Sequence, residues 1–115
     1  MNGRVPTLRL LAGVIRAERA RKPAGARLLR YRLMQKKVPR ALIDRLVAEA
    51  DEAYDAVDEA RALAQRRLAA AAMRTLEPAV RRRRVWATLA RRGFDADTIR
   101  NAVDGLIGDD DPFVD

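Results

Sequence analysis

Leu89-Ala90-Arg91-Arg92-Gly93-Phe94-Asp95-Ala96-Asp97-Thr98-Ile99 is the stretch whose reading decides the fold. Val85, Trp86 and Leu89 are spaced to share one face of a helix, and Gly93 is placed to end it, because a helix C-terminus commonly calls for a residue in the left-handed conformation. Phe94 is then positioned to fold back onto the last turn. Asp95 suits the N-cap of a following helix, and Asp97 falls in its first turn, near the positive end of the helix dipole. That next helix buries Ile99, Ala102, Val103 and Leu106. Upstream, Pro78 opens the first of the two, since its missing N–H costs nothing at a helix start.

Outward from this pair the pattern recurs. A shift of 56 positions aligns Leu33-Met34-Gln35-Lys36-Lys37-Val38-Pro39 with Leu89 to Asp95, Ile43 with Ile99 and Val47 with Val103. The shifted unit holds a helix over about 24–36, with Leu29 and Leu33 on one face, and a helix opened by Pro39 that buries Leu42, Ile43, Leu46 and Val47. A preceding helix capped by Thr7 carries Leu8, Leu11, Val14 and Ile15, and Lys22-Pro23-Ala24-Gly25 interrupts it. The same shift maps this helix onto an alanine-rich one that begins near Tyr54, with Val57, Ala60, Ala64, Leu68 and Ala71 as its apolar stripe. Nothing reads as a strand. The expected fold is all-α, two tandem three-helix repeats of about six helices, packed at right angles in an elongated array. The expected boundaries are 7–50 and 51–107, followed by an acidic, disordered tail at 108–115.

Charge is unevenly distributed. Residues 1–47 carry 13 basic and 2 acidic side chains, residues 48–62 are net −5, residues 63–107 net +6, and four aspartates close the chain for an overall +8. A basic body of this kind favours polyanions or acidic protein surfaces without choosing between them. The absence of Cys and His removes disulfides, thiolate nucleophiles, Cys or His metal sites and the commonest general base. Asp51, Glu52, Asp55, Asp58 and Glu59 lie along one helical face, but no loop or second element converges on them, so a solvated junction is expected rather than a metal site. No catalytic, cofactor or metal residue is expected. No apolar run spans a bilayer, and the N-terminus lacks a signal peptide's apolar stretch, so the protein is expected to be a soluble, cytoplasmic monomer.

Lys22-Pro23-Ala24-Gly25-Ala26-Arg27-Leu28-Leu29-Arg30, with Leu33, Lys36-Lys37-Val38 and Ile43 after it, resembles one repeat of the RecX family, and Arg82 to Val103 resembles the last repeat. The resemblance covers about residues 7–107. It implies an all-helical protein of three-helix repeats that binds RecA filaments on single-stranded DNA and inhibits or limits strand exchange and coprotease action, linking it to recombination, DNA repair and the SOS response. It implies no catalysis and no cofactor. The family usually has three units, so the N-terminal repeat is expected to be missing. Lys37 stands where the family turn usually has glycine, so a looser or different turn is expected there.

The residues expected to contact the filament or its DNA are Arg27, Arg32, Lys36, Arg81, Arg84, Arg91 and Arg92. In Arg81-Arg82-Arg83-Arg84, helical spacing sets Arg84 and Arg91 opposite the buried face and Arg81 and Arg92 together on one flank. Arg82 is expected to lie along the apolar edge. Stacked in register with Arg32 and Lys36 of the first unit, the flank would form a basic ridge; by spacing alone it equally suits an ordinary solvated face. Trp86 is expected in the core rather than as a base-stacking platform, Phe94 as a turn-closing core residue, and Tyr31 more outward. Phe113 belongs to the tail. The alternative function is a stand-alone basic helical nucleic-acid-binding module. An enzyme built on paired carboxylates has least support.

Overall fold

A computed structural model describes residues 8–107; Thr7 and the acidic segment 108–115 lie outside the described residues. The element order is α1 (Leu8–Arg21), α2 (Ala26–Gln35), α3 (Arg40–Glu52), α4 (Ala56–Ala69), α5 (Ala71–Arg74), α6 (Pro78–Arg91) and α7 (Ala96–Val103). No strand occurs among the described residues. The array measures 60 × 27 × 20 Å and holds two separate cores. Leu11 and Ile15 of α1, Leu29 and Leu33 of α2, and Ile43, Leu46 and Val47 of α3 form the first. Ala60, Leu63 and Ala64 of α4, Met73 of α5, Val85 and Leu89 of α6, and Ile99, Ala102 and Val103 of α7 form the second. The first joins three helices and the second joins three long helices and the short α5, with side chains three or four residues apart on the long helices.

Two backbone hydrogen bonds recur at the turns. After α6, Gly93 N–H donates to Ala90 O (3.0 Å) and Phe94 N–H to Leu89 O (3.2 Å). After α2, Lys37 N–H donates to Met34 O (2.9 Å) and Val38 N–H to Leu33 O (3.2 Å). Both pairs make the same helix-ending motif, with a left-handed residue in the middle and an apolar residue closing on the last turn. Lys37 therefore keeps the glycine geometry at φ 65°, rather than forming the looser turn expected of it. The two bonds and the burial of Val38 hold it there against the Cβ strain of that region.

The shift of 56 does not extend to the first helices. Applied to α1, it would give 64–77, a span that contains the end of α4, a break and α5. The break is at Ala70, which is extended (φ −63°, ψ 137°), and it puts Met73 fully inside the second core. Ala71 is exposed rather than part of the stripe. The described chain consequently has seven helices where about six were expected. Its second unit spends an extra short helix between α4 and α6, while the first unit crosses the same connection with only Lys22 to Gly25.

That short crossing joins the two units. Gly25 N–H donates to Arg92 O (2.8 Å) and Arg27 N–H to Gly93 O (3.2 Å), so carbonyls ending α6 satisfy amides that open α2. The approach leaves no room for side chains. A Cβ on Gly25 would stand 2.3 Å from Gly93 O, and one on Gly93 would stand 2.3 Å from the Leu28 amide nitrogen. Gly25 has an ordinary backbone conformation (φ −85°, ψ 172°), so glycine is required there for space alone. Gly93 is required for both space and its φ of 89°.

Two substitutions test this account in urea unfolding followed by circular dichroism. Gly25→Ala is expected to destabilise the chain by about 2 kcal/mol, because the clash is with backbone. Lys37→Gly is expected to stabilise it by about 1 kcal/mol, because the turn is retained and the left-handed strain is lost. Equal effects in the same direction would contradict the distinction.

Candidate polyanion interface

Residues 1–47 hold two acids among 13 basic side chains, and one of them, Glu18, is the electrostatic centre of the inter-unit joint. Glu18 projects from α1 and is only 13% exposed. Its Oε2 accepts from Arg21 at 2.7 Å and from Arg92 at 3.1 Å, and its Oε1 lies 3.4 Å from Arg32 Nε. Burial raises the carboxyl pKa, but the hydrogen bonds from Arg92 and Arg21 and the charges of Arg21 and Arg32 outweigh it, and the net shift is downward. Arg92 also donates to Pro23 O (2.9 Å) and Lys22 O (3.1 Å), filling the carbonyls of the crossing loop.

A second arginine closes the other side of that loop. Arg19 donates to Ala24 O (3.0 Å), Ala50 O (3.3 Å) and Asp51 (2.6 Å), and its guanidinium stacks 3.5 Å from the centroid of the Tyr54 ring. Ala24 N–H donates to the Tyr54 hydroxyl at 3.1 Å. Burial raises the Tyr54 pKa against the weaker opposing effects of the Ala24 hydrogen bond and the Arg19 and Arg92 charges, and the phenol stays neutral.

Of the seven expected contact residues, the structure brings Arg32 and Lys36 to one groove, of about 580 Å³ between α1 and α2, with Glu18, Arg21 and Gln35 also in its lining. Glu18 is its single acid and is already engaged by three guanidinium groups, which leaves the groove with an excess of cations suited to phosphate or carboxylate. Arg27 is exposed on α2, and Arg84 and Arg91 are exposed on α6. Arg81 is half-buried. Arg92 departs from the expected ridge. It is the C-cap residue of α6, its side chain is 11% exposed, and the loop carbonyls and Glu18 hold it inside the joint, so it does not share an open flank with Arg81.

The other expectations from spacing find definite places. Trp86 packs against the second core and Phe94 is buried in it, while Tyr31 is 54% exposed and takes a hydrogen bond from Gln35. Asp95 caps α7 by accepting the Thr98 N–H (2.8 Å), and that bond lowers its pKa. The acidic set is divided between tasks: Asp51 pairs with Arg19, and Asp55 caps α4 through the Asp58 N–H (3.0 Å). Among the described residues no group of three or more Asp or Glu side chains is placed to hold a metal ion, and no helix is long and apolar enough to cross a membrane.

Residues 53–103, which contain α4 to α7, match the family model described as RecX, third three-helix domain. The chain is also 30% identical over 91 residues to the regulatory protein RecX of Chlorobium phaeobacteroides (strain BS1), across 75% of this chain and 52% of that relative. The chain is similar, by both matches, to the RecX family. It spans about half the length of the curated relative it matches. No solved structure matches it.

The sequence pattern did not single out Glu18, Arg19, Tyr54 or Arg61 as site residues. Arg61 reaches from α4 to the Ala102 and Asp104 carbonyls at the end of α7 (3.3 and 3.0 Å). Glu18 carried a usable signal, since one of only two acids in a strongly basic segment has many partners within reach. Arg19, Tyr54 and Arg61 carried none, because each has a side-chain or backbone partner 30 to 43 positions away.

Because the Glu18 pKa in the folded chain lies below its ordinary value of 4.5, its contribution to stability is complete above about that pH and is lost as pH falls through the folded value. Glu18→Gln is expected to cost about 3 kcal/mol at neutral pH by leaving Arg92 buried without its carboxylate. The same variant should show a flatter decline in urea midpoint between neutrality and acid. A wild-type decline retained in full by Glu18→Gln would assign acid sensitivity elsewhere.

Proposed function

We propose that this chain is a RecX-like regulator that binds RecA filaments formed on single-stranded DNA and limits recombinase and coprotease activity. It does so by occupancy, with no catalytic step and no cofactor, and it acts as a monomer in the cytoplasm. The observation that carries the reading is the 91-residue match to a protein named for this regulatory family. The architecture supports it physically. A 60 Å array locked at its joint presents basic side chains at fixed spacing along a periodic partner, without reordering them on binding.

In this reading Lys36 and Arg32, at the α1/α2 groove, and Arg27, Arg84 and Arg91, exposed on α2 and α6, meet acidic side chains of the recombinase or phosphates of the bound strand. Arg81 lies at the edge of that surface. Arg92 contributes by holding the two units in register.

Co-sedimentation with RecA filaments on single-stranded DNA, compared with DNA alone across a salt series, tests the proposal. Tight filament binding with weak binding to naked DNA is expected, together with slowed strand exchange. Unchanged strand exchange and DNA-dependent ATP hydrolysis at saturating protein would overturn it, and tight, steeply salt-dependent binding to DNA alone would favour the stand-alone nucleic-acid module. Lys36→Ala combined with Arg84→Ala and Arg91→Ala is expected to weaken filament binding at least tenfold with the unfolding midpoint unchanged. Arg92→Ala is expected to lower the unfolding midpoint instead.

A further inference from the structure

The two helix-ending turns share one geometry but have different neighbours. The turn at Gly93 and Phe94 is buried against Gly25 and Leu28 of the first unit. Its counterpart at Lys37 and Val38 has no unit against it among the described residues, and Lys37 is exposed. A Cβ at the Gly93 position would meet the neighbouring unit's backbone nitrogen at 2.3 Å and its Cβ at 2.6 Å. Lys37 carries that Cβ and a long cationic side chain. Another three-helix unit cannot approach this turn as the first unit approaches the second.

Beside the Lys37 turn lies a groove of about 720 Å³ between α2 and α3, lined by Arg30, Met34, Val38, Arg40, Ile43 and Asp44. Its volume falls in the range of sites that take a side chain or small ligand. Met34 is 62% exposed at its wall, and Val38 and Ile43 are buried beneath. Asp44, the one acid among the lining residues, is 3.4 Å from Arg30 and so offsets a cation already counted. Arg40 and the adjacent Lys37 leave the rim positive. No aromatic ring lines the groove, so it offers no platform for stacking a nucleobase.

We infer that the groove formed by Arg30, Met34, Val38, Arg40, Ile43 and Asp44 docks an acidic polypeptide segment that inserts one apolar side chain. The apolar floor takes the inserted side chain and the cationic rim takes its acidic neighbours, which combines a desolvated anchor with charge complementarity at the edge. Lys37 keeps the face from a further like unit and adds to the charge that selects an acidic partner. The inference stands apart from filament binding, and its test contains no recombinase, so the two can fail separately.

The probe is a fluorescein-labelled octapeptide with six acidic residues around a central Leu-Phe pair, titrated with the full chain and read by fluorescence anisotropy. Saturable binding is expected, weakened at least tenfold when Leu-Phe is replaced by Ser-Ser. Met34→Ser combined with Arg40→Glu, both exposed positions, is expected to weaken it at least tenfold with no change in the thermal midpoint. Absence of binding overturns the inference, as does equal affinity for the Ser-Ser peptide, which would reduce the contact to bulk charge. Binding indifferent to the double variant overturns it too. So does a double variant that loses an oligothymidine strand while retaining the peptide, which would assign the groove to nucleic acid.

Discussion

The contact of the Gly25 backbone with the Gly93 backbone is the constraint on which the array depends. Three-helix units of this size have small cores, and a flexible linkage between them would leave two marginal domains. Here the ends of two helices meet directly: the amides that open α2 are filled by carbonyls that close α6. Neither helix needs a side-chain cap at that point, and Gly25 provides none. The cost is steric. Both residues must lack a Cβ, and the crossing from α1 to α2 must be short, which is why α2 starts four residues later in its repeat than α6 does.

Charge then secures what the backbone contact sets. In a chain with a net charge of +8, mutual repulsion of arginines opposes close packing of basic helices. Glu18 answers this by drawing Arg21, Arg32 and Arg92 to one carboxylate, and Arg19 answers it by spreading its donors over two backbone carbonyls, Asp51 and the Tyr54 ring. Arginine serves both roles because its planar group donates in several directions at once. The same residues leave positive charge at the surface, so the joint and the candidate interface are made from one set of side chains. A change to Glu18 consequently alters both fold and surface, which separates it from Lys36 or Arg84, whose exposure leaves them outside both cores and the joint.

For function, the joint matters because it fixes spacing. Under the proposed function, surfaces held in register over a long span suit a periodic partner, and rigidity spares the ordering cost that a flexible tether would incur on binding. The two ends of the array differ in kind. At one, Lys37 and an open apolar groove face outward; at the other, α6 begins one turn earlier than its counterpart and carries the Arg81 to Arg84 run. These ends are not interchangeable, so the array has a direction.

Much of this was legible in the sequence. Gly93, Phe94 and Asp95 announced a helix end, a closing core residue and a cap, because each follows from backbone chemistry within a few residues; the same locality made the repeat of α2 and α3 in α6 and α7 visible. The break at Ala70 was not legible, since a run of alanines is equally content in a helix and only the pull of Met73 into the core bends it. Nor was the fate of Arg92. Helical spacing put it on a basic flank, while the fold turned it onto loop carbonyls some 70 positions away, because a guanidinium goes to whichever acceptors the folded chain brings near. Sequence alone determined the helices other than α5, the helix end at Gly93 and the excess of positive charge, all consequences of short-range geometry and composition. Only the tertiary structure decided which of those charges hold the units together and which remain free, since that depends on acceptors no local pattern encodes.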